Sequence, residues 1–415
     1  MLHKGKLIVF LGSALIALYG ISAAFYGKVI ATDDAYPALS VFMDALNKIN
    51  DDYVEAPEMS KVQEGAMRGL IDALDPYSGF LTKEEVQRLE QKKQKGDVGI
   101  GVVLSKRGDI IYVVTVLPES AAQGAGLRPG DYLLSIDGTG LEDKNLIEAD
   151  AMLEGAPGTP VKLSVFRGSR TEPVEIEVMR SADPTVLVTT QMLDRKVGLL
   201  DISSLRSPAV EEARTKLKTL ISAGAEKLIL DLRDCADGDA ADGAEVANFF
   251  LKDGLIYQSK DRQGKVVQQV EATPEKYITG LPMVVLVNGS TAGAAEIAAG
   301  ALKDRERARS VGEKTFGSGS SQKRIALKNG AVLVLSTTKY FTPGGKMIQE
   351  ENIRTTGIKP DVECPTSDRR QDLAVQSYYE DKDESAKYNE LRSKIGKEQL
   401  DKALEILGTT ADSAG

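Results

Sequence analysis

Val284-Val285-Leu286-Val287-Asn288-Gly289-Ser290-Thr291-Ala292-Gly293-Ala294-Ala295-Glu296-Ile297 reads as a strand that feeds a helix through a tight turn. Four β-favouring apolar residues run into small turn-forming ones, and Ala298-Ala299-Gly300-Ala301-Leu302 continues the helix pattern. Such an elbow gathers the unpaired N–H groups of a helix N-terminus, where an anion or oxyanion is favoured. Nucleophiles often sit at the tip of this turn. Here the tip is a glycine, Gly293.

The same alternation extends upstream. Val197–Ile202 is a strand, Val210–Leu220 an amphipathic helix and Lys227–Leu232 a buried strand. The loop Arg233-Asp234-Cys235-Ala236-Asp237-Gly238 follows, and then a helix over Ala244–Leu251. Repeated β–α units argue for parallel strands with helices packed on the sheet. A strand over Ala331–Thr337 and the turn Thr342-Pro343-Gly344-Gly345 complete a module over residues 183–365. No internal repeat of about 20–50 residues is present.

Residues 96–182 are short strands and turns: Ile110–Val116, Tyr132–Ile136, Val161–Phe166 and Val174–Val178, with a tight turn at Arg128-Pro129-Gly130-Asp131. Gly99-Ile100-Gly101-Val102 opens the first of them. Glycines there let backbone amides approach a ligand closely, which suits capture of a peptide carboxylate with strand addition beside it. Residues 34–95 carry helical periodicity at Val41, Met43, Leu46 and Ile49, and again at Val62, Met67, Leu70 and Leu74. They predict a small helical packing domain, broken at Asp75-Pro76-Tyr77-Ser78-Gly79 and resumed by a capping box at Thr82-Lys83-Glu84-Glu85. Residues 366–415 form a charged tail around Asp381-Lys382-Asp383-Glu384 with helical patterns near Leu391 and Leu400–Leu407, expected to be partly docked or solvated.

Within residues 1–31, Leu7–Tyr26 is a nearly unbroken apolar run that follows Lys4 and Lys6. It has the length of a bilayer span and the basic flank that stays cytoplasmic. The alternative is a signal peptide cut near Ala24 or Ala31. Either way the remainder is expected to be exported, periplasmic and either tethered or soluble.

Composition narrows the chemistry. The 415 residues carry a net charge of −9 with no large basic block, so nucleic acid is not an expected partner. The one histidine, His3, precedes the apolar run. A Ser-His-Asp triad, a Cys-His pair and a histidine zinc site are therefore excluded from the folded part. No metal site and no cofactor are expected. Cys235 and Cys364 can form one disulfide at most, and their spacing does not place them within bonding distance.

Gly99-Ile100-Gly101-Val102, Pro118-Glu119-Ser120-Ala121-Ala122, Gly126-Leu127-Arg128-Pro129-Gly130-Asp131 and Ile136-Asp137-Gly138 together resemble a PDZ domain of the bacterial protease type. By that resemblance Gly99, Ile100, Gly101 and Val102 hold the C-terminus of a bound chain. More widely, the chain resembles the carboxyl-terminal processing peptidases, or tail-specific proteases. The segments that carry this are Asp75-Pro76-Tyr77-Ser78, Leu230-Asp231-Leu232-Arg233, Glu296–Asp304, Val311–Gly317, Tyr340–Gly345 and Gly357-Ile358-Lys359-Pro360-Asp361, in family order. The resemblance implies cleavage of exported proteins near their C-termini by a serine nucleophile and a lysine base. A lysine serves because burial disfavours its charged form.

Matched residue by residue, the nucleophile position is Gly293 and the base position Ser318. The glutamine that orients the lysine is kept as Gln322. The loop with an oxyanion donor, Asn-Pro-Gly-Gly in the family, reads Cys235-Ala236-Asp237-Gly238, which places an acid where an oxyanion develops. Displaced nucleophiles are Ser290 and Thr291, with Lys314 or Lys323 as base; the bland reading of both hydroxyls is capping and turn formation. Ser318 and Ser320 read as a flexible glycine-serine loop, Glu296 as a structural hydrogen-bonder, and Asp234 and Asp237 as solvated loop acids.

The expected architecture is α+β and multidomain: a helical N-terminal part, a PDZ-like β domain, and an α/β protease-like core with parallel-sheet units. The expected function is binding of protein or peptide C-termini without cleavage. The alternatives are an active endopeptidase with displaced catalytic residues, and an assembly subunit that pairs with an active protease homologue.

Overall fold

Every residue of Met283–Val287 is buried, and its side chains alternate between two cores. Met283, Val285 and Val287 face one, Val284 and Leu286 the other. Strict period-two alternation with both faces apolar is the mark of a parallel strand covered on each side. The computed structural model describes residues 35–167, 172–182, 184, 186–352, 355–365 and 384–408. The apolar run over Leu7–Tyr26 lies outside the described residues. Among those residues, no helix is long and apolar enough to cross a membrane.

Packing divides the chain into two units, one ending at Met67 and one beginning at Arg68. The first contains helix α1 (Ala35–Asp52) and most of α2 (Met59–Asp72). Leu39, Val41, Met43 and Ile49 of α1 are exposed. In the second unit, the turn at Asp75 is closed by its own carboxylate, which accepts the amides of Tyr77 (2.8 Å) and Ser78 (3.0 Å). The wholly helical pattern expected over 34–95 is interrupted there by a short strand, β1 (Gly79–Leu81). Helix α3 (Lys83–Lys95) then begins with the capping box of Thr82 and Glu85 and ends on Gly96 in the left-handed conformation.

An antiparallel β domain follows: β2 (Val102–Arg107), β3 (Ile110–Val116), α4 (Ala121–Gly124), β4 (Tyr132–Ile136), β5 (Thr139–Gly140), α5 (Leu146–Leu153), β6 (Pro160–Phe166) and β7 (Val174–Met179). Its order β2-β3-β4-β6-β7 leaves β2 on an edge, and Ile100, Leu104, Ile111, Val113, Leu163 and Val165 fill its core.

The remaining elements form the core module. They are β8 (Val188–Leu193), β9 (Val197–Ile202), α6 (Ser207–Ser222), β10 (Lys227–Asp231), α7 (Ala240–Asn248), β11 (Leu255–Lys260), β12 (Val266–Glu271), β13 (Met283–Val287), α8 (Ala294–Asp304), β14 (Arg309–Gly312), β15 (Ser320–Ala326), β16 (Val332–Phe341), β17 (Val362–Glu363) and α9 (Glu384–Ile406). One sheet runs β17-β14-β13-β10-β9-β8, with all neighbours parallel except β8. A second runs β1-β16-β11-β12, with β15 on β16. Helices α6, α7 and α8 share the first face of the parallel sheet.

The second face is covered by α9, so the charged tail is docked over its described part. Ala403 is fully buried against Val197, Ile229, Val284 and Leu286, and Leu400, Leu404 and Leu407 pack beside it. Polar clamps fix the helix: Arg233 donates to Gly396 O (3.1 Å) and Gln399 Oε1 (2.9 Å), and Lys227 donates to Leu407 O (2.6 Å). A parallel sheet needs an apolar cover on both faces, and local charge in the tail concealed which segment supplies it. Cys235 and Cys364 are both free thiols.

Candidate active site and peptide cradle

Thr291 and Asn288 build the elbow. The Thr291 hydroxyl accepts the amide of Asn288 (2.9 Å) and donates to Leu232 O (2.8 Å), while Ala292 N–H donates to Cys235 O (2.9 Å). The Asn288 carbonyl oxygen Oδ1 accepts the amides of Ser290 and Asp234, each at 3.0 Å. The chain then reaches Gly293 at φ 58°, ψ −114°, the N-cap of α8. A Cβ added there would meet no atom within 4 Å. The tip of the turn is therefore a glycine at positive φ, a conformation it adopts at no steric cost, with open space beside it.

Glu296 joins this tip to the base position. Fully buried, its Oε2 accepts Gly293 N–H (3.0 Å) and Ser318 N–H (2.7 Å); Oε1 accepts Gly317 N–H (2.8 Å) and the Thr315 hydroxyl. Gly293 and Ser318 thus share one acceptor oxygen and are neighbours. Burial pushes the Glu296 pKa up to about 7, against the Thr315 hydroxyl and the amides of Ser318, Gly317 and Gly293. The glycine-serine loop expected at Ser318 and Ser320 is instead pinned. Glu296 holds Ser318, Gln349 Oε1 accepts Gly319 N–H (3.2 Å), and Ser320 begins β15 opposite Lys339.

Gln322 bonds elsewhere than Ser318. Its Nε2 donates to Ser320 Oγ (2.8 Å) and Ser336 Oγ (3.1 Å), and Ser336 donates to Asp75 (3.0 Å). Sequence reasoning also passed over two residues around this loop, Tyr77 beside Ser318 and Lys339 opposite Ser320. Tyr77 is placed with its hydroxyl beside Ser318 and Ser105, and burial raises its pKa. Lys339 lies beside the same loop, bonds Gln349 O (3.4 Å), and has its pKa lowered by burial. The Asp-Pro-Tyr-Ser motif was the available signal for Tyr77; Lys339 gave none.

The displaced nucleophiles are spoken for. Ser290 Oγ donates to Val114 O (2.7 Å) and Thr291 Oγ1 to Leu232 O, and no lysine is among their partners. Lys314 interacts with Lys346 and Glu350, its pKa lowered mainly by burial; Lys323 pairs with Leu335 along β15. Neither hydroxyl caps α8, a task that falls to Glu296. The loop acids both have partners, though the Asp234 side chain stays 28% exposed. Asp237 accepts Leu205 N–H (3.2 Å) and pairs with Arg206 Nε (2.8 Å). Asp234 accepts from Asn288 Nδ2 (3.0 Å) and pairs with Arg392. Their charge is matched by partners distant in sequence. Among the described residues no group of three His, Cys, Asp or Glu side chains is placed to hold a metal ion. A cavity of about 500 Å³ at the carboxyl end of the parallel strands, beneath α9, is bordered by Ser290, Asp201 and Arg233 but not by Gly293 or Ser318.

The cradle over Gly99–Val102 follows from its backbone. The carbonyls of Gly99, Ile100 and Gly101 turn into the domain, where they accept from Ser181 (3.1 Å), Ala122 (2.9 Å) and Leu117 (2.9 Å). In a trans peptide the next N–H points the opposite way, so the amides of Ile100, Gly101 and Val102 turn outward together. Val102 also faces Val116 on an edge strand, in the pair whose N–H groups point away from the neighbour. Successive outward amides form an anion-binding concavity, and the bare edge accepts a further strand. Gly101 must be glycine: φ is +82°, and a Cβ would lie 2.3 Å from Ser120 Cβ.

An elbow above a parallel sheet, joined to a β domain with an outward nest of amides, defines a peptidase-type scaffold with its own peptide-binding module. Residues 96–178 match the model of the PDZ domain, and residues 196–364 that of peptidase family S41. The carboxy-terminal-processing protease of Bartonella bacilliformis is 29% identical, over 95% of this chain and 88% of that one. The carboxy-terminal processing protease CtpA of Bacillus subtilis is 30% identical, over 78% of this chain and 69% of its own length. The solved photosystem II D1 C-terminal processing protease superposes with a TM-score of 0.64 at 25% identity, covering 78% of this chain and 92% of that one. The chain belongs to the carboxy-terminal processing protease family.

Proposed function

We propose that this protein grips the C-termini of polypeptides without cutting them, as an exported adaptor or regulator of envelope proteolysis. One observation carries the reading: an outward nest of amides at Ile100–Val102 accompanies an elbow tip, Gly293, that has room for a nucleophile and bears none. Glycine has nothing with which to attack a carbonyl, so the covalent route is closed there. In subtilisin, loss of the nucleophile alone costs on the order of a million-fold in turnover, and loss of further members of the set adds little. The hydroxyls of Ser290 and Thr291 already donate to backbone carbonyls, which argues against their substitution for it. Export rests on the basic-flanked apolar run over Leu7–Tyr26, as anchor or cleaved leader.

The test is to incubate the purified protein with an unstructured polypeptide that ends in an apolar residue, and to follow cleavage by mass spectrometry and binding by anisotropy. We expect no turnover, and binding that is lost when the terminal carboxylate is amidated. Val102→Pro, which deletes an outward amide at the start of an edge strand, is expected to weaken binding at least tenfold, about 1.4 kcal/mol. Gly293→Ser combined with Ser318→Lys is expected to bring back measurable cleavage. Turnover by the unaltered chain that disappears on Ser290→Ala or Thr291→Ala would overturn the reading.

A further inference from the structure

Strand β8 ends the parallel sheet on one side, pairing with β9 and with no other described strand. Its register is regular throughout, from Val188 opposite Ile202 to Leu193 opposite Val197. One further bond fixes which way its backbone faces. Ser203 N–H donates to Leu187 O (2.9 Å), and this pair continues the same register by one place. Antiparallel partners alternate between pairs that exchange hydrogen bonds and pairs that do not. Thr189, Gln191 and Leu193 therefore bond β9, and the N–H and C=O groups of Val188, Thr190 and Met192 turn away from it. The Val188 carbonyl bears this out, because its oxygen accepts Lys216 Nζ of α6 at 2.5 Å. Thr189, Thr190, Gln191 and Met192 are all exposed.

A bare edge recruits another strand, so edges are normally blunted by charge, proline, a bulge or shortness. Strand β8 has six residues, none of them charged, proline or glycine, and its ladder carries no bulge. The sequence around it also reads alike in both directions. Leu187-Val188-Thr189-Thr190-Gln191-Met192-Leu193 is two apolar residues, three polar and two apolar, centred on Thr190. A two-fold axis at Thr190 sets Leu187 of one copy against Leu193 of the other, Val188 against Met192, Thr189 against Gln191 and Thr190 against itself. Apolar meets apolar and polar meets polar at every place, and no charges face each other. The centre is a residue whose N–H and C=O both face out, so the axis falls on a pair that exchanges two hydrogen bonds. Val188 and Met192 exchange two more on each side, since a carbonyl oxygen bonded by Lys216 keeps a second lone pair.

We propose that β8 is the contact surface for a second copy of this chain, joining two parallel sheets edge to edge about a two-fold axis at Thr190. A two-fold interface uses one patch twice, and a strand that reads alike in both directions supplies such a patch. The contact uses neither Gly99–Val102 nor Gly293, so it stands whether the chain binds polypeptides, cuts them or does neither. The test is sedimentation equilibrium of the full-length chain over a range of concentrations, in which a reversible, weak dimer is expected from so small a contact. Thr190→Pro removes an outward N–H and leaves the ladder to β9 intact. It is expected to raise the dissociation constant by about tenfold or more, with an unchanged circular dichroism spectrum. Thr190→Cys sets two thiols on residues about 5.5 Å apart at Cα, within disulfide range, and mild oxidation should yield a covalent dimer above the background of the unaltered chain. Gln191→Cys, whose counterpart lies two residues out of register, should yield little. A monomer at every concentration, a dimer that survives Thr190→Pro, or equal cross-linking at positions 190 and 191 overturns the proposal.

Discussion

Glu296 ties the elbow tip to the loop that carries Ser318. Four donors converge on one buried carboxylate, two of them the amides of Gly293 and Ser318, so these two residues are held adjacent. Its folded pKa of about 7 lies above the ordinary 4.5. The group therefore favours the folded state fully below about pH 4.5 and loses that contribution as pH rises through about 7. Denaturant titrations at pH 5.5 and pH 8 should find the protein more stable at the lower pH, with about 2–3 kcal/mol of the difference due to Glu296. Asp150 and Asp201, also raised to about 7, act in the same direction. The decisive comparison is thus Glu296→Gln, in which the pH difference should shrink. The amide also turns an N–H₂ toward buried donors, at a cost of about 1–3 kcal/mol at either pH. An unchanged pH difference in Glu296→Gln would refute this account. The proximity of Gly293 and Ser318 was legible in the sequence, because the flanking motifs align them with paired positions of the resembled family and both bond Glu296 in the fold. The commitments of Ser290 and Asp237 were not, because they depend on partners 176 and 32 residues away, Val114 and Leu205.

Strand β13 was legible for the same reason that it is central: an unbroken Val-Val-Leu-Val run has no polar face, and small residues after it force a turn. What such a strand requires on its far side was also written, in Leu400, Ala403, Leu404 and Leu407 at helical spacing, but the charge around that stripe suggested solvent. Hairpin β11–β12 and strand β15 were less accessible. Val266-Val267-Gln268-Gln269 is largely exposed, and Ser320–Ala326 shows no alternation; β15 is a strand because β16 offers it a partner along its length. The weight of α9 can be measured. Ala403→Asp places a carboxylate without a partner between helix and sheet, a change of the kind that costs about 3 kcal/mol or more. The melting temperature should fall by several degrees, and limited proteolysis should release the C-terminal segment that resists it in the unaltered chain. Resistance retained in Ala403→Asp would mean that the clamps of Arg233 and Lys227, rather than apolar burial, hold the helix.

The binding module and the elbow share a boundary one strand wide. Strand β3 pairs with the cradle strand β2 on one side, and it also meets the core: Ser290 Oγ donates to Val114 O (2.7 Å) and Thr115 Oγ1 to Asp234 O (2.8 Å). The rings of Tyr112 and Phe316 lie 6.3 Å apart across the same seam. On the proposed mode of binding, a peptide strand added to β2 stiffens a sheet whose next member is bonded directly to the two loops that frame Gly293. Each hydrogen bond contributes about 0.5–1.5 kcal/mol net, too little to hold two folded domains together but enough to bias an opening equilibrium tenfold. Hydrogen exchange of the amides over 232–235 and 288–293 reads this coupling. Peptide binding should slow their exchange in the unaltered protein. In Thr115→Val combined with Ser290→Ala the same amides should exchange faster without peptide, and binding should no longer protect them, while β4, β6 and β7 remain protected. If the peptide still protects residues 288–293 in that double variant, the coupling runs through the aromatic seam, and Tyr112→Ala should then abolish it; if it protects them in neither protein, the cradle and the elbow act as independent modules.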